Sequence, residues 1–154
     1  MPDEPHWLTP DELETWQILH LALSTLPGAL GSQLQADAEL SFLEYYVLAG
    51  LSDQPEHTMR MSRLALLAGS ELSRLSHLMR RLEKRGLVRR EPDPSDGRFT
   101  HAILTPAGYD VLVAAAPGHV AQVRKLVIDV LDDEEQQVLR RALRKVVGQV
   151  VGDC

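Results

Sequence analysis

Residues 61–108 read MSRLALLAGSELSRLSHLMRRLEKRGLVRREPDPSDGRFTHAILTPAG, and the pattern changes several times within that run. A short apolar helix is predicted over residues 63–68, with a tight turn at Gly69 and a new cap at Ser70. The helix that follows runs from Glu71 to Arg85 and stops at Gly86, a residue suited to the left-handed position after a helix. Val88–Glu91 and Thr100–Leu104 are short strand-like runs, and Pro92-Asp93-Pro94-Ser95-Asp96-Gly97 between them is rich in turn formers. Helix, turn, helix and hairpin in that order describe a helix-turn-helix with a β-wing. The fold class predicted is mainly α with a small wing, flanked by N- and C-terminal helices.

Upstream, Thr9-Pro10-Asp11-Glu12 opens a helix with a capping box and a proline at the first helical position. Leu19, Leu23, Leu26 and Leu30 continue it at near-helical spacing, and Pro27-Gly28 should kink or interrupt it. Ser41-Phe42-Leu43-Glu44 is a second capping box, opening an apolar helix through Tyr45, Tyr46, Val47 and Leu48. Downstream, Thr105-Pro106 starts a helix running to about Leu131, bent at Pro117-Gly118, and Asp132–Glu135 restarts the chain as a last helix. Residues 37–105 form the predicted winged helix-turn-helix domain. Residues 1–36 and 106–154 form a helical dimerisation region.

The length of 154 residues suits one domain, and 44% hydrophobic residues are enough for a packed core. No apolar run reaches the ~18 residues of a membrane span. The acidic N-terminus lacks the basic start of a secretory signal, and the single cysteine, Cys154, makes no internal disulfide. A cytoplasmic protein without membrane contact is the expectation. The net charge of -6 argues against nucleic acid, but its distribution does not. Residues 1–59 carry ten Asp/Glu and no Lys or Arg, whereas residues 60–101 carry ten Lys/Arg against five Asp/Glu. A polyanion senses that local patch, because salt screens charges beyond about 8–10 Å.

The patch is ordered along the helix at 71–85. On a wheel, Leu72, Leu75, Leu78, Met79 and Leu82 fall within about 120° and should pack inward. The opposite side holds Ser73, His77, Arg80 and Lys84, with Ser76 and Arg81 at its shoulders, and all are hydrogen-bond donors. A helix fits the major groove of B-DNA, where donors and acceptors on base edges distinguish the four base pairs. Its N-terminal part reaches the bases. Ser70, Ser73, Arg74 and His77 are therefore candidates at the start of the helix, and Arg80, Arg81 and Lys84 are candidates for phosphate. Arg90, on the first strand next to Arg89, is a further one, since alternation sends the two to opposite faces. At the hairpin tip Gly97 allows a positive φ, Arg98 projects from the loop, and Asp96 can pair with an arginine near the base of the wing.

Taken together, "MSRLA", "RLEKRGLV", "DGR" and "LTPAG" resemble the signature of the MarR family of transcription regulators over residues 58–109. The resemblance implies a homodimer built on the terminal helices and bound to palindromic double-stranded DNA, usually as a repressor. It implies that Arg98 enters the minor groove supported by Asp96, and that Thr58–Arg60 pairs with the wing as a short strand. It also implies a small aromatic effector, for which Trp7, Trp16, His20, Tyr45, Tyr46 and His57 are candidate contacts. The apolar residues Leu126, Val127, Val130, Leu131, Leu139, Leu143, Val146, Val147, Val150 and Val151 independently offer more surface than a terminal helix pair needs for itself. The six histidines show no zinc spacing, and no phosphate loop or nucleophile motif occurs. No cofactor, metal or enzymatic activity is expected. The alternative is a winged-helix protein-interaction module without DNA binding, because fold alone does not set function.

Overall fold

A computed structural model describes residues 5–151 of the chain; Cys154 and the extreme N-terminus, including the start of the supposed non-signal segment, lie outside the described residues. Helix α1 spans Pro10–Ala38, α2 Phe42–Ser52, α3 Met61–Leu67 and α4 Leu72–Lys84. Strand β1 covers Thr58–Arg60, β2 Val88–Pro92 and β3 Thr100–Leu104. Helix α5 runs over Pro106–Val123, a wider helical turn follows at Arg124–Ile128, and α6 spans Asp133–Val151.

Local chemistry sets most of these boundaries. Thr9 and Glu12 exchange side-chain and backbone hydrogen bonds of 2.8 and 3.3 Å at the start of α1. Ser41 and Glu44 do the same for α2, as do Asp132 and Glu135 for α6. Each box satisfies amides that a helix start leaves without partners. Pro27 does not interrupt α1, which continues through it as one helical element. Gly69 and Gly86 adopt φ of +56° and +72°, which end α3 and α4 in the conformation glycine tolerates.

The strands form one antiparallel sheet in the order β1-β3-β2. Met59 and Arg90 both face Ala102 in register, and Val88 faces Leu104. The strand at Thr58–Arg60 implied by the resemblance is therefore present and lies against β3. The core sits between this sheet and α1–α5. Leu34 of α1, Val47, Leu48 and Leu51 of α2, Leu64 of α3, and Leu75, Met79 and Leu82 of α4 are wholly buried there. Helix α5 is long and apolar enough to cross a membrane by composition alone, but it packs against α1 and α2 through buried Leu112, Ala115 and His119. It is a core helix.

Thr105 fastens the start of α5 to the end of α4. Its hydroxyl donates to the Gly86 carbonyl at 2.6 Å and its amide to the Leu87 carbonyl at 3.1 Å. Helix α6 buries none of its residues, and Val138, Leu139, Leu143, Val146, Val147 and Val150 are exposed along it. The first half of α1 is similar, with Trp16, Ile18, Leu21 and Leu23 all exposed.

Candidate nucleic-acid interface

Helix α4 follows the turn at Gly69 and lays Leu75, Leu78, Met79 and Leu82 on the core. Ser73, Arg74, His77, Arg80 and Lys84 are consequently exposed along its outer side. The wheel was wrong about Leu72. It lies at the edge of the apolar sector and is 53% exposed. Ser70 does not cap the helix either. Glu71 occupies the cap position without a side-chain bond, and the Ser70 hydroxyl donates to the Glu71 carbonyl at 3.3 Å.

Three arginines of the predicted set pair with carboxylates of the same chain, two of them on α4 and β2. Arg81 reaches the buried Glu44 of α2 at 3.0 Å, so it ties α4 to α2 while its own side chain stays 65% exposed. Arg90 is gripped more tightly. It makes a two-pronged pair with Glu83, at 3.0 and 2.7 Å, and donates to the Ser76 hydroxyl at 3.2 Å. Those bonds raise its already high pKa further, with the Glu83 hydrogen bond the main cause. A planar fork on a carboxylate fixes direction as well as charge. Arg90 thus joins β2 to α4, and its charge is already met within the chain.

The loop between β2 and β3 forms the wing. Gly97 does not take a positive φ there, so the freedom read for it from the sequence is not used. Arg98 is 85% exposed, and its guanidinium pairs with Asp96 two residues back, at 2.7–3.2 Å. The Arg98 amide also donates to Asp96 at 3.1 Å. These bonds hold the Asp96 carboxyl below its ordinary range. Asp96 therefore supports Arg98 itself and does not reach an arginine at the base of the wing.

That second task falls to Asp93, which the sequence did not single out. It is buried, and one of its oxygens accepts from the Arg60 guanidinium at 2.8 and 2.9 Å, with His101 Nε2 at 3.1 Å. The other accepts from the Ser95 hydroxyl and amide at 2.6 and 2.8 Å and from the Asp96 amide at 3.3 Å. The Ser95 bonds, and then Arg60, keep its carboxyl far below the usual range. Arg60 also lies 4.6 Å over the Phe99 ring. The Asp93-Pro94-Ser95 turn was the available signal, since aspartate commonly accepts from the backbone two residues on.

The fold that carries this basic helix face and braced loop recurs in a solved protein. Sco3205 of Streptomyces coelicolor, a MarR family transcriptional regulator, superposes with a TM-score of 0.89 and 45% identity over 96% of this chain and 92% of that one. The chain belongs to the MarR family. The MarR family model itself matches residues 38–98. AbsC, a MarR family regulator of the same organism, is 36% identical with a TM-score of 0.88 over 97% of this chain and 100% of its own. The transcriptional regulator HosA of Escherichia coli O111:H- is 33% identical over 112 residues, 71% of this chain and 79% of HosA.

In this MarR-family chain the candidate effector residues do not converge. Trp16 and His20 pair with each other on the exposed half of α1, ring centroids 6.0 Å apart. His57 stacks on Tyr109 at 5.4 Å, and its Nδ1 donates to the Ser52 carbonyl at 3.0 Å. Tyr45 and Tyr46 instead enclose His119 of α5, with the Tyr46 hydroxyl 3.3 Å from its Nε2. Burial lowers the His119 pKa and raises those of both tyrosines. His119 is a neighbour the sequence reading left out of the set. Trp7 is well exposed.

Proposed function

We propose that this MarR-family regulator binds double-stranded DNA as a two-fold homodimer, reading a palindromic operator and repressing transcription by occupying it. The observation that carries the reading is the outward face of α4, where Ser73, Arg74, His77, Arg80 and Lys84 stand exposed beside an 85% exposed Arg98. Sco3205, solved in complex with DNA, offers the same fold at substantial identity. Residues 37–105 act as the DNA-binding part in this reading.

Ser73, Arg74 and His77 meet base edges in the major groove, and Arg80 and Lys84 meet phosphates. Arg98, aimed by Asp96, enters the minor groove, whose narrow negative floor attracts a guanidinium. Arg81 and Arg90, already paired, position α4 and the wing. Residues 1–36 and 106–154 supply dimerisation. Exposed apolar side chains on α6 and on the first half of α1 support that role, because contiguous patches of this kind mark contact surfaces. A two-fold dimer sets two α4 helices about 34–36 Å apart, one turn of DNA.

Release by a small aromatic ligand rests on the ring cluster Tyr45–Tyr46–His119, where the α2 of the DNA-binding part meets α5. Titration of the protein–operator complex with a monocyclic aromatic acid checks that step. The main reading is tested by selecting bound duplexes from a random pool and comparing the parent with Arg98→Ala on the winner. A palindromic product, weaker binding by Arg98→Ala and an unchanged sedimentation coefficient are expected. Equal affinity of the two proteins at matched salt refutes the wing's role, and a strictly monomeric species refutes the dimer.

A further inference from the structure

Leu72 is the first residue of α4, and it departs from the rule its neighbours obey. Leu75, Met79 and Leu82 are wholly buried, whereas Leu72 is 53% exposed. It borders a recess of about 220 Å³ with Ser62, Ser76, Arg98 and Phe99, between the start of α4 and the wing. Side chains on a helix lean toward its N-terminus, so Leu72 reaches ahead of the first turn. In a helix lying in the major groove, that is the part nearest the bases.

A leucine there has neither donor nor acceptor. Set against the polar edge of guanine, cytosine or adenine, it would strip water from groups it cannot bond. One base edge in the major groove carries an apolar group, the C5 methyl of thymine. Leu66 and Leu67 of α3 are also exposed, but the first helix of the motif crosses the sugar-phosphate backbone, where no such methyl is offered. We propose that Leu72 packs on a thymine methyl and is a specificity-determining residue of the interface.

This inference rests on the reading of α4 as the helix that enters DNA, and the experiment separates the two. A duplex selected by the full-length protein is resynthesised with each thymine in turn replaced by deoxyuridine, which keeps the base pair and every hydrogen-bonding group and removes the methyl alone. Wild-type protein should bind about three- to fourfold more weakly at one thymine per half-site, the effect of burying one methyl-sized group. Leu72→Ala and Leu72→Gln should bind the thymine and deoxyuridine duplexes alike. Each comparison is made within one protein, so a general loss of stability in a variant does not imitate the result. Affinities unchanged at every deoxyuridine, or a penalty that persists in both variants, overturn the role of Leu72 while leaving DNA binding in place. A chain that selects no duplex at all overturns both.

Discussion

Gly108 is the position at which a single added methyl should do most harm. It lies in the first turn of α5, where its amide donates to the capping Thr105 hydroxyl at 3.0 Å. A Cβ placed there would sit 2.0 Å from the Leu87 carbonyl oxygen, 2.9 Å from the Leu87 carbonyl carbon and 2.7 Å from a Leu104 methyl. Ordinary contacts begin at 3.4 Å, so α5 must draw back by more than an ångström from a backbone atom that cannot rotate away. That movement breaks the two Thr105 bonds to Gly86 and Leu87. Overpacking costs about 1–3 kcal/mol. Each lost hydrogen bond adds roughly 1 kcal/mol. Gly108→Ala should therefore lose about 3 kcal/mol or more, which in a chain of this size lowers Tm by at least about 6 °C. Gly28→Ala is the control, since no atom lies within 4 Å of its added Cβ and the residue is helical. It should gain up to about 1 kcal/mol from helix propensity. Thermal unfolding followed by circular dichroism, at one fixed protein concentration, reads both. A Gly108→Ala melt within about 2 °C of the parent would refute the close approach of α5 to Leu87.

Leu75→Ala, at a wholly buried site on α4, should cost about 2–5 kcal/mol in urea unfolding, and a loss under 1 kcal/mol would contradict its placement in the core. Asp93→Asn should loosen the wing, so amides of residues 95–99 should exchange faster with deuterium and operator affinity should fall; unchanged exchange would show that Asp93 does not brace the wing. His119 has a pKa depressed below the ordinary 6.5, so the unfolded chain takes up its proton first as pH falls. The stability tied to neutral His119 is fully present above that value and is lost as the pH drops through the lower folded value. Urea midpoints should thus fall more between about pH 7 and 5 in the parent than in His119→Phe, and parallel curves would refute the buried neutral state. Lys84→Ala should lower the salt dependence of operator binding by about one phosphate contact, and an unchanged slope would exclude such a contact.

The features legible in the sequence are those that neighbouring residues settle among themselves. The caps at Thr9, Ser41 and Asp132 and the turns at Gly69 and Gly86 depend on three or four adjacent positions, and all of them form. Helical periodicity likewise placed Leu75, Leu78, Met79 and Leu82 inside and Ser73, His77 and Arg80 outside. It failed at Leu72, because the edge of a buried face is drawn by what packs against it. The ion pairs were out of reach for the same reason. Arg81 meets Glu44 and Arg60 meets Asp93 across intervals of 37 and 33 residues, and no local rule joins those positions. Strand alternation made Arg90 a candidate for phosphate; Glu83, seven residues earlier, becomes its partner once β2 folds back along α4. Similarly, the aromatic residues read as a single set separate: Tyr45 and Tyr46 meet His119 of α5, His57 meets Tyr109 near its start, and Trp16 meets only His20 on α1.

The fork from Arg90 to Glu83 and Ser76 has a mechanical consequence. It ties the base of the hairpin to the helix beside it, so the two surfaces proposed to meet DNA keep one mutual offset before any target is met. In the proposed dimer, fitting targets of unequal length would then fall to the contact between the two copies, while the stencil inside each one stays constant.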